Sequence, residues 1–162
     1  MIHLIVGNTG AGKTTYANEL KRNISSLVFT LDKWNKLLFL PDKTDKDGLD
    51  WFLERIDRAE LLMQNLILQL EVSNVDSILD VGLSKFAHRE KYRKFAKEYN
   101  IQIKIHFLNI SKEIRQERVF KRNLEKGETF EFEVSEDNFE FMENWFETPT
   151  KEELQNAIII KE

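Results

Sequence analysis

This 162-residue chain predicts an α/β fold: a five-stranded parallel sheet flanked by helices. Three observations predict it. Short β-branched apolar runs alternate with longer amphipathic stretches along the whole chain. A glycine-bearing turn joins the first run to the first helical stretch. The two prolines, Pro41 and Pro149, both fall where the pattern already reads as loop.

Residues 2–6, Ile-His-Leu-Ile-Val, are nearly all apolar, as a strand buried on both faces would be. Residues 13–22 read as helix, and 27–31 as a second strand ending at Asp32. Residues 51–72 carry Phe52, Ile56, Ala59, Met63, Leu66 and Leu70 in alternating steps of four and three, which marks a long amphipathic helix. Residues 77–81 form a third strand, punctuated by Gly82. Ser84 is placed to cap a helix running to Tyr99, with a basic outer face of Lys85, Arg89, Lys91, Arg93, Lys94 and Lys97. A charge run of this kind is usually the wet side of a helix, although it could also touch nucleic acid. Residues 101–108 read as the fourth strand, 111–124 as a helix with Ser111 at its N-cap, and 157–160 as the fifth strand.

At 19.2 kDa the chain is one domain's worth, expected to span residues 1–162. No apolar run approaches the ~18–20 residues of a membrane span, and the apolar N-terminus lacks the basic region of a secretory signal. A cytoplasmic protein without membrane contact is expected. The absence of cysteine excludes a disulfide scaffold, a thiolate metal site and a cysteine nucleophile. The net charge of -4 argues against bulk affinity for nucleic acid. The charge is uneven: residues 125–153 hold 11 acids against two lysines, a balance of -9, which leaves +5 elsewhere. Phe130, Phe132, Phe139, Phe141, Trp145 and Phe146 lie among those acids and mark a folded element rather than a tail. His3, His88 and His106 have no ligand-like spacing; Trp34 and Trp51 flank a candidate acceptor side, where an aromatic could stack on a substrate ring, but read first as packing residues.

Gly7, Asn8, Thr9, Gly10, Ala11, Gly12, Lys13 and Thr14 match G-x-x-x-x-G-K-[ST], followed by Thr15. The pattern lies directly after a predicted strand and before a predicted helix. Glycines let backbone amides turn inward around phosphate oxygens, and the helix N-terminus adds partial positive charge. Lys13 supplies a compact cation for the outer phosphates, and the Thr14 hydroxyl can ligate Mg²⁺. This combination predicts a nucleoside-triphosphate site.

Asp32 and Asp80 both end predicted strands on the rim that carries this loop, where ligands of open α/β sheets bind. A carboxylate there can take a proton from an attacking hydroxyl or hold Mg²⁺ through water. It can also merely cap a helix. Arg115, Arg118 and Arg122, spaced by three and four, share one helical stripe, opposite Ile110, Phe120 and Leu124. Such a stripe suits a lid over phosphates, or equally a solvated face paired with Glu113 and Glu117.

With Gly10 the loop reads G-x-x-G-x-G-K-T. Together with Thr30-Leu31-Asp32, Leu79-Asp80-Val81-Gly82, Glu117-Arg118, Arg122-Asn123 and the stretch 134–149, it makes the chain resemble the small P-loop kinases of the AAA-family ATP-binding group. That group is similar to polynucleotide 5′-hydroxyl kinases, chloramphenicol phosphotransferase and zeta toxins. The resemblance implies a three-layer P-loop NTPase fold and a kinase that moves the γ-phosphoryl group of ATP to a hydroxyl of a small-molecule acceptor, with Mg²⁺. GTP is the second choice, because no Asn-Lys-x-Asp motif is present. The resemblance gives Asp32 the part of base, which leaves Asp80 on the metal side with Thr14. Arg118 and Arg122 become the charge-neutralising pair on a lid helix of about residues 111–126. Residues 34–72 become the insert that builds the acceptor pocket. Several relatives place an arginine three residues after the base, where this chain has Asn35 between Lys33 and Lys36. A polynucleotide 5′-hydroxyl kinase and a nucleotide-dependent switch ATPase are the alternatives, and a monomer or homodimer is expected.

Overall fold

The computed structural model describes residues 1–126, 130 and 133–162; the expected aromatic at Phe132 lies outside the described residues. Five strands form one sheet: β1 (Ile2–Val6), β2 (Ser26–Thr30), β3 (Asp76–Asp80), β4 (Ile103–Leu108) and β5 (Ile158–Ile160). Their order is β2-β3-β1-β4-β5, and every pair is parallel. β1 lies in the middle with all five residues buried, which is why its sequence shows no polar alternation.

The helices are α1 (Lys13–Asn23), α2 (Leu31–Trp34), α3 (Leu49–Val72), α4 (Phe86–Glu98), α5 (Lys112–Glu125) and α6 (Glu136–Trp145). One face of the sheet contributes Ile2, Leu4, Val6, Phe29, Leu79, Ile105 and Phe107 to a core with Ala59, Met63 and Ile67 of α3 and Tyr92, Phe95 and Ala96 of α4. The other face presents Ile5, Ile78 and Leu108 to Ala17 of α1, with Ile114 of α5 packed against them. The strand–helix alternation thus buries two faces, as expected of a doubly covered sheet.

Several boundaries shift by a residue or two, and three expectations need correction. α4 begins at Phe86 rather than at a Ser84 cap. The Glu147 carboxylate accepts from the Phe86 backbone N–H at 2.7 Å, while Ser84 offers its carbonyl to Glu147 N–H at 2.9 Å. A side chain from the acidic segment therefore does the capping. Ser111 does stand at the N-cap of α5, but its side chain makes no capping bond.

The basic outer face of α4 is largely spent on ion pairs. Arg89 is wholly buried, its Nε 2.7 Å from Glu153 Oε1. Lys91 pairs with the buried Glu60, Arg93 with Glu90 and Glu152, and Lys85 with Glu147. Periodicity placed Arg89 outside because a guanidinium normally seeks water; here a buried carboxylate replaces that water.

The third correction concerns α5, which was expected to pack by Phe120 and Leu124. Both are exposed, Leu124 at 85%, whereas Arg115 and Val119 are buried at 5% and 1%. The helix turns Arg115 inward, because it can satisfy its donors on backbone carbonyls beneath it, while Arg118 stays exposed. α6 covers this side, with Phe139 and Val134 packed on Val119. The acidic segment is accordingly a folded flank of α5.

Candidate active site

The loop of residues 7–14 joins the carboxyl end of β1 to the first turn of α1. Gly10 and Gly12 hold φ of +80° and +89°, a left-handed conformation that disfavours side chains. Gly7 packs so closely that a Cβ would lie 3.1 Å from Ala11 Cβ and 3.1 Å from the Leu108 carbonyl. Lys13 Nζ donates to the Asn8 carbonyl at 3.3 Å.

β2 and β3 bring the acids to the same rim. Thr30 and Asp80 are register partners, so Asp32 stands just beyond the strand end beside Asp80. The strand stops one residue earlier than expected, and Asp32 occupies the first turn of α2 instead of ending the strand. Asp80 is 7% exposed and accepts a hydrogen bond from the Thr14 hydroxyl at 2.7 Å. Its carboxylate thus faces the loop and caps no helix. Two hard oxygen donors in mutual reach suit magnesium, which binds through one or two carboxylates plus phosphate and water rather than in a protein cage. Among the described residues no group of three His, Cys, Asp or Glu forms such a cage.

α5 crosses the loop and delivers the arginines. Arg118 Nη1 lies 3.4 Å from the Ala11 carbonyl, and Arg122 buries its Nε with no partner. Burial pushes the Lys13 ammonium below its usual range. Asp80 and Asp32 pull it back up, and Arg115 and Arg122 push it further down. Arg122 is likewise lowered by burial and raised by Asp32. Lys13 thus feels the charges of Asp80, Asp32, Arg115 and Arg122, and Arg122 feels that of Asp32. Partly desolvated cations with unsatisfied donors gain from a polyanion that restores their charge and hydrogen bonding.

Arg115 is a different case. Its Nε donates to the Ile110 carbonyl at 2.9 Å, Nη1 to the Thr9 carbonyl at 3.2 Å and Nη2 to Glu143 Oε1 at 2.9 Å. It braces the loop from behind. Sequence reasoning missed Glu143 altogether. The available signal was its position one helical turn after the apolar Phe139, which points both side chains the same way. Trp34 packs edge-on against Phe29 at 5.9 Å, in keeping with its reading as a packing residue. Asn35, 4% exposed, opens a π-helical turn (Asn35–Phe39), and its Oδ1 is buried with no partner.

A family model described as AAA domain matches residues 2–149. No curated protein sequence matches the chain at a significant level. Among solved structures, the chain is similar to Chaetomium thermophilum Kti12 in complex with ADP-AlF3, at 15% identity and a TM-score of 0.72, covering 99% of this chain and 89% of that one. It is also similar to a sugar kinase from Janibacter, at 15% identity and TM-score 0.63, over 99% of this chain and 84% of that one. A gluconokinase from Sinorhizobium meliloti aligns at 14% identity and TM-score 0.60, over 98% and 81%. At these identities the likeness shows a shared α/β fold.

Proposed function

The chain belongs to the AAA domain family, and from that premise we propose that it is an ATP-dependent kinase that phosphorylates a hydroxyl of a small-molecule acceptor. The glycine loop with left-handed Gly10 and Gly12, the Thr14 hydroxyl 2.7 Å from the Asp80 carboxylate, and Arg118 at 3.4 Å from the Ala11 carbonyl carry the reading. In it, amides of residues 7–15 cradle the phosphates, and Lys13 leaves the Asn8 carbonyl to pair with their outer oxygens. Thr14 and Asp80 would hold magnesium, which when bound would supply positive charge to offset that of the phosphates.

Asp32 takes the proton of the acceptor hydroxyl as that oxygen bonds to the γ-phosphorus and the bond to the ADP oxygen breaks. Arg118 and Arg122 neutralise charge spreading onto the transferring group. The segment 34–72, next to Asp32 in the chain, would shape the acceptor pocket. Kinase names among the similar folds support the reaction class, and the ADP-AlF3 complex supports the nucleotide.

The polynucleotide 5′-hydroxyl alternative has less support, because four of the six basic residues along the α4 face, Lys85, Arg89, Lys91 and Arg93, are paired with carboxylates. A switch ATPase without an acceptor has no use for Asp32 beside Lys13.

Thermal melting tests the binding half. At about 100 times its dissociation constant, ATP with Mg²⁺ adds about 2.7 kcal/mol to stability, a rise of roughly 5–10 °C. Lys13→Ala should lose most of that rise. Equal rises in wild type and Lys13→Ala would contradict the reading.

A further inference from the structure

The acidic flank reaches the phosphate loop through one side chain. Glu143, on α6, accepts from Asn8 Nδ2 at 2.9 Å through Oε2 and from Arg115 Nη2 at 2.9 Å through Oε1. Asn8 is 7% exposed, and its own Oδ1 accepts from the Thr9 backbone N–H at 2.7 Å. Arg115 holds the Thr9 carbonyl from the other side at 3.2 Å. The first half of the loop is therefore gripped at consecutive residues by side chains that meet at a single carboxylate.

The grip leaves little slack. A Cβ on Gly10 would overlap the Arg115 carbonyl and lie 2.9 Å from Val119 Cγ2, so α5 already presses on the loop. Among the described residues Glu143 hydrogen-bonds Asn8 and Arg115, not Lys13, and it reaches the loop through the Asn8 side chain rather than through a backbone amide. Any effect it has on a bound nucleotide must pass through Asn8 and Arg115.

We propose that Glu143 is a positioning residue that holds the glycine loop in its phosphate-cradling shape and couples the placement of α6 to nucleotide affinity. The proposal rests on the nucleotide-site reading above. Two effects oppose each other when the carboxylate is lost. Arg115 is left with an unpaired charge near Lys13, which attracts a polyphosphate, while Asn8 and the loop are released, which costs preorganisation. The hydrogen bonds act over about 3 Å and fix the cradle itself, whereas the freed charge sits behind the backbone, so loosening wins.

Charge-preserving variants separate the two. Glu143→Asp shortens the reach to one of the two partners, and Asn8→Ala cuts the link while keeping the Arg115–Glu143 pair. Titration with a fluorescent ATP analogue and Mg²⁺, alongside melting of the apo protein, is the test. Glu143→Asp and Asn8→Ala should each weaken binding by about tenfold, and the double variant should be no weaker than the weaker single, because both break one link. Glu143→Gln, which releases the charge as well, should still bind more weakly than wild type.

Binding within about twofold of wild type for Glu143→Asp, additive losses in the double variant, or tighter binding by Glu143→Gln would each overturn the assignment. A lowered melting temperature with unchanged affinity would make Glu143 merely structural, which overturns it too. If the wild-type protein fails to bind the analogue, the nucleotide reading falls and this proposal falls with it. If wild type binds and Lys13→Ala does not, while the Glu143 variants bind as wild type, only the Glu143 assignment fails.

Discussion

Gly10 is the position where the loop least tolerates a side chain. Its φ of +80° costs an L-residue about 1–2 kcal/mol, and a Cβ there would overlap a backbone carbonyl that cannot swing away. Gly10→Ala should therefore destabilise the protein by about 2 kcal/mol or more in urea unfolding and abolish nucleotide-dependent stabilisation. Wild-type stability with intact binding would contradict the placement of α5 on the loop. Gly12 shares the conformation, but its neighbour is the flexible end of Arg118 at 3.9 Å, so Gly12→Ala carries the strain without the collision. The motif was legible in the sequence because its chemistry is local: spacing alone sets the glycines, Lys13 and Thr14 on one turn. Glu143 was not legible, because 135 residues separate it from Asn8 and only tertiary packing joins them.

Elements were legible in their existence and less so in their orientation. A 3.6-residue period locates a stripe, but which stripe faces inward depends on what lies beneath it. For α5 Arg115 faces inward, since it finds the carbonyls of Thr9 and Ile110 and a carboxylate. For α4 the same reversal buries Arg89 against Glu153, both with fully buried side chains, and ties the helix to the turn that leads into β5. Removing one partner strands a charge in the core. Glu153→Ala should cost about 3–5 kcal/mol in guanidinium unfolding, and the apolar pair Arg89→Met with Glu153→Leu should recover much of it. A loss below about 1 kcal/mol for Glu153→Ala would mean that water reaches the pair. The strands were legible for the opposite reason where burial is complete: β1 is buried on both faces, so its composition alone gives it away.

Across the whole molecule, the sheet unites residues that no motif connects. His3 Nδ1 lies 2.9 Å from His106 Nε2 on the neighbouring central strand, and His106 Nδ1 lies 2.8 Å from the Tyr16 hydroxyl of α1. Burial pushes His106 down to about 4, with the His3 and Lys104 charges adding to the effect, against an ordinary value of 6.5. The unfolded chain thus binds the extra proton first. Stability present above about pH 6.5 should be lost as pH falls toward 4, by at most about 3 kcal/mol from this group. His106→Gln should flatten that part of the stability–pH profile, and an unchanged slope would assign the acid sensitivity to other groups. At the carboxyl ends of the strands lies the rim that carries the glycine loop, Asp32 and Asp80. The measurement that tests its chemistry most directly is transfer of label from γ-labelled ATP to a panel of hydroxyl metabolites and a 5′-hydroxyl oligonucleotide, by wild type and Asp32→Asn. The account predicts label on a small acceptor with wild type, and binding of ATP without transfer by Asp32→Asn. Near-normal transfer by Asp32→Asn, or label passing to the oligonucleotide alone, would contradict it.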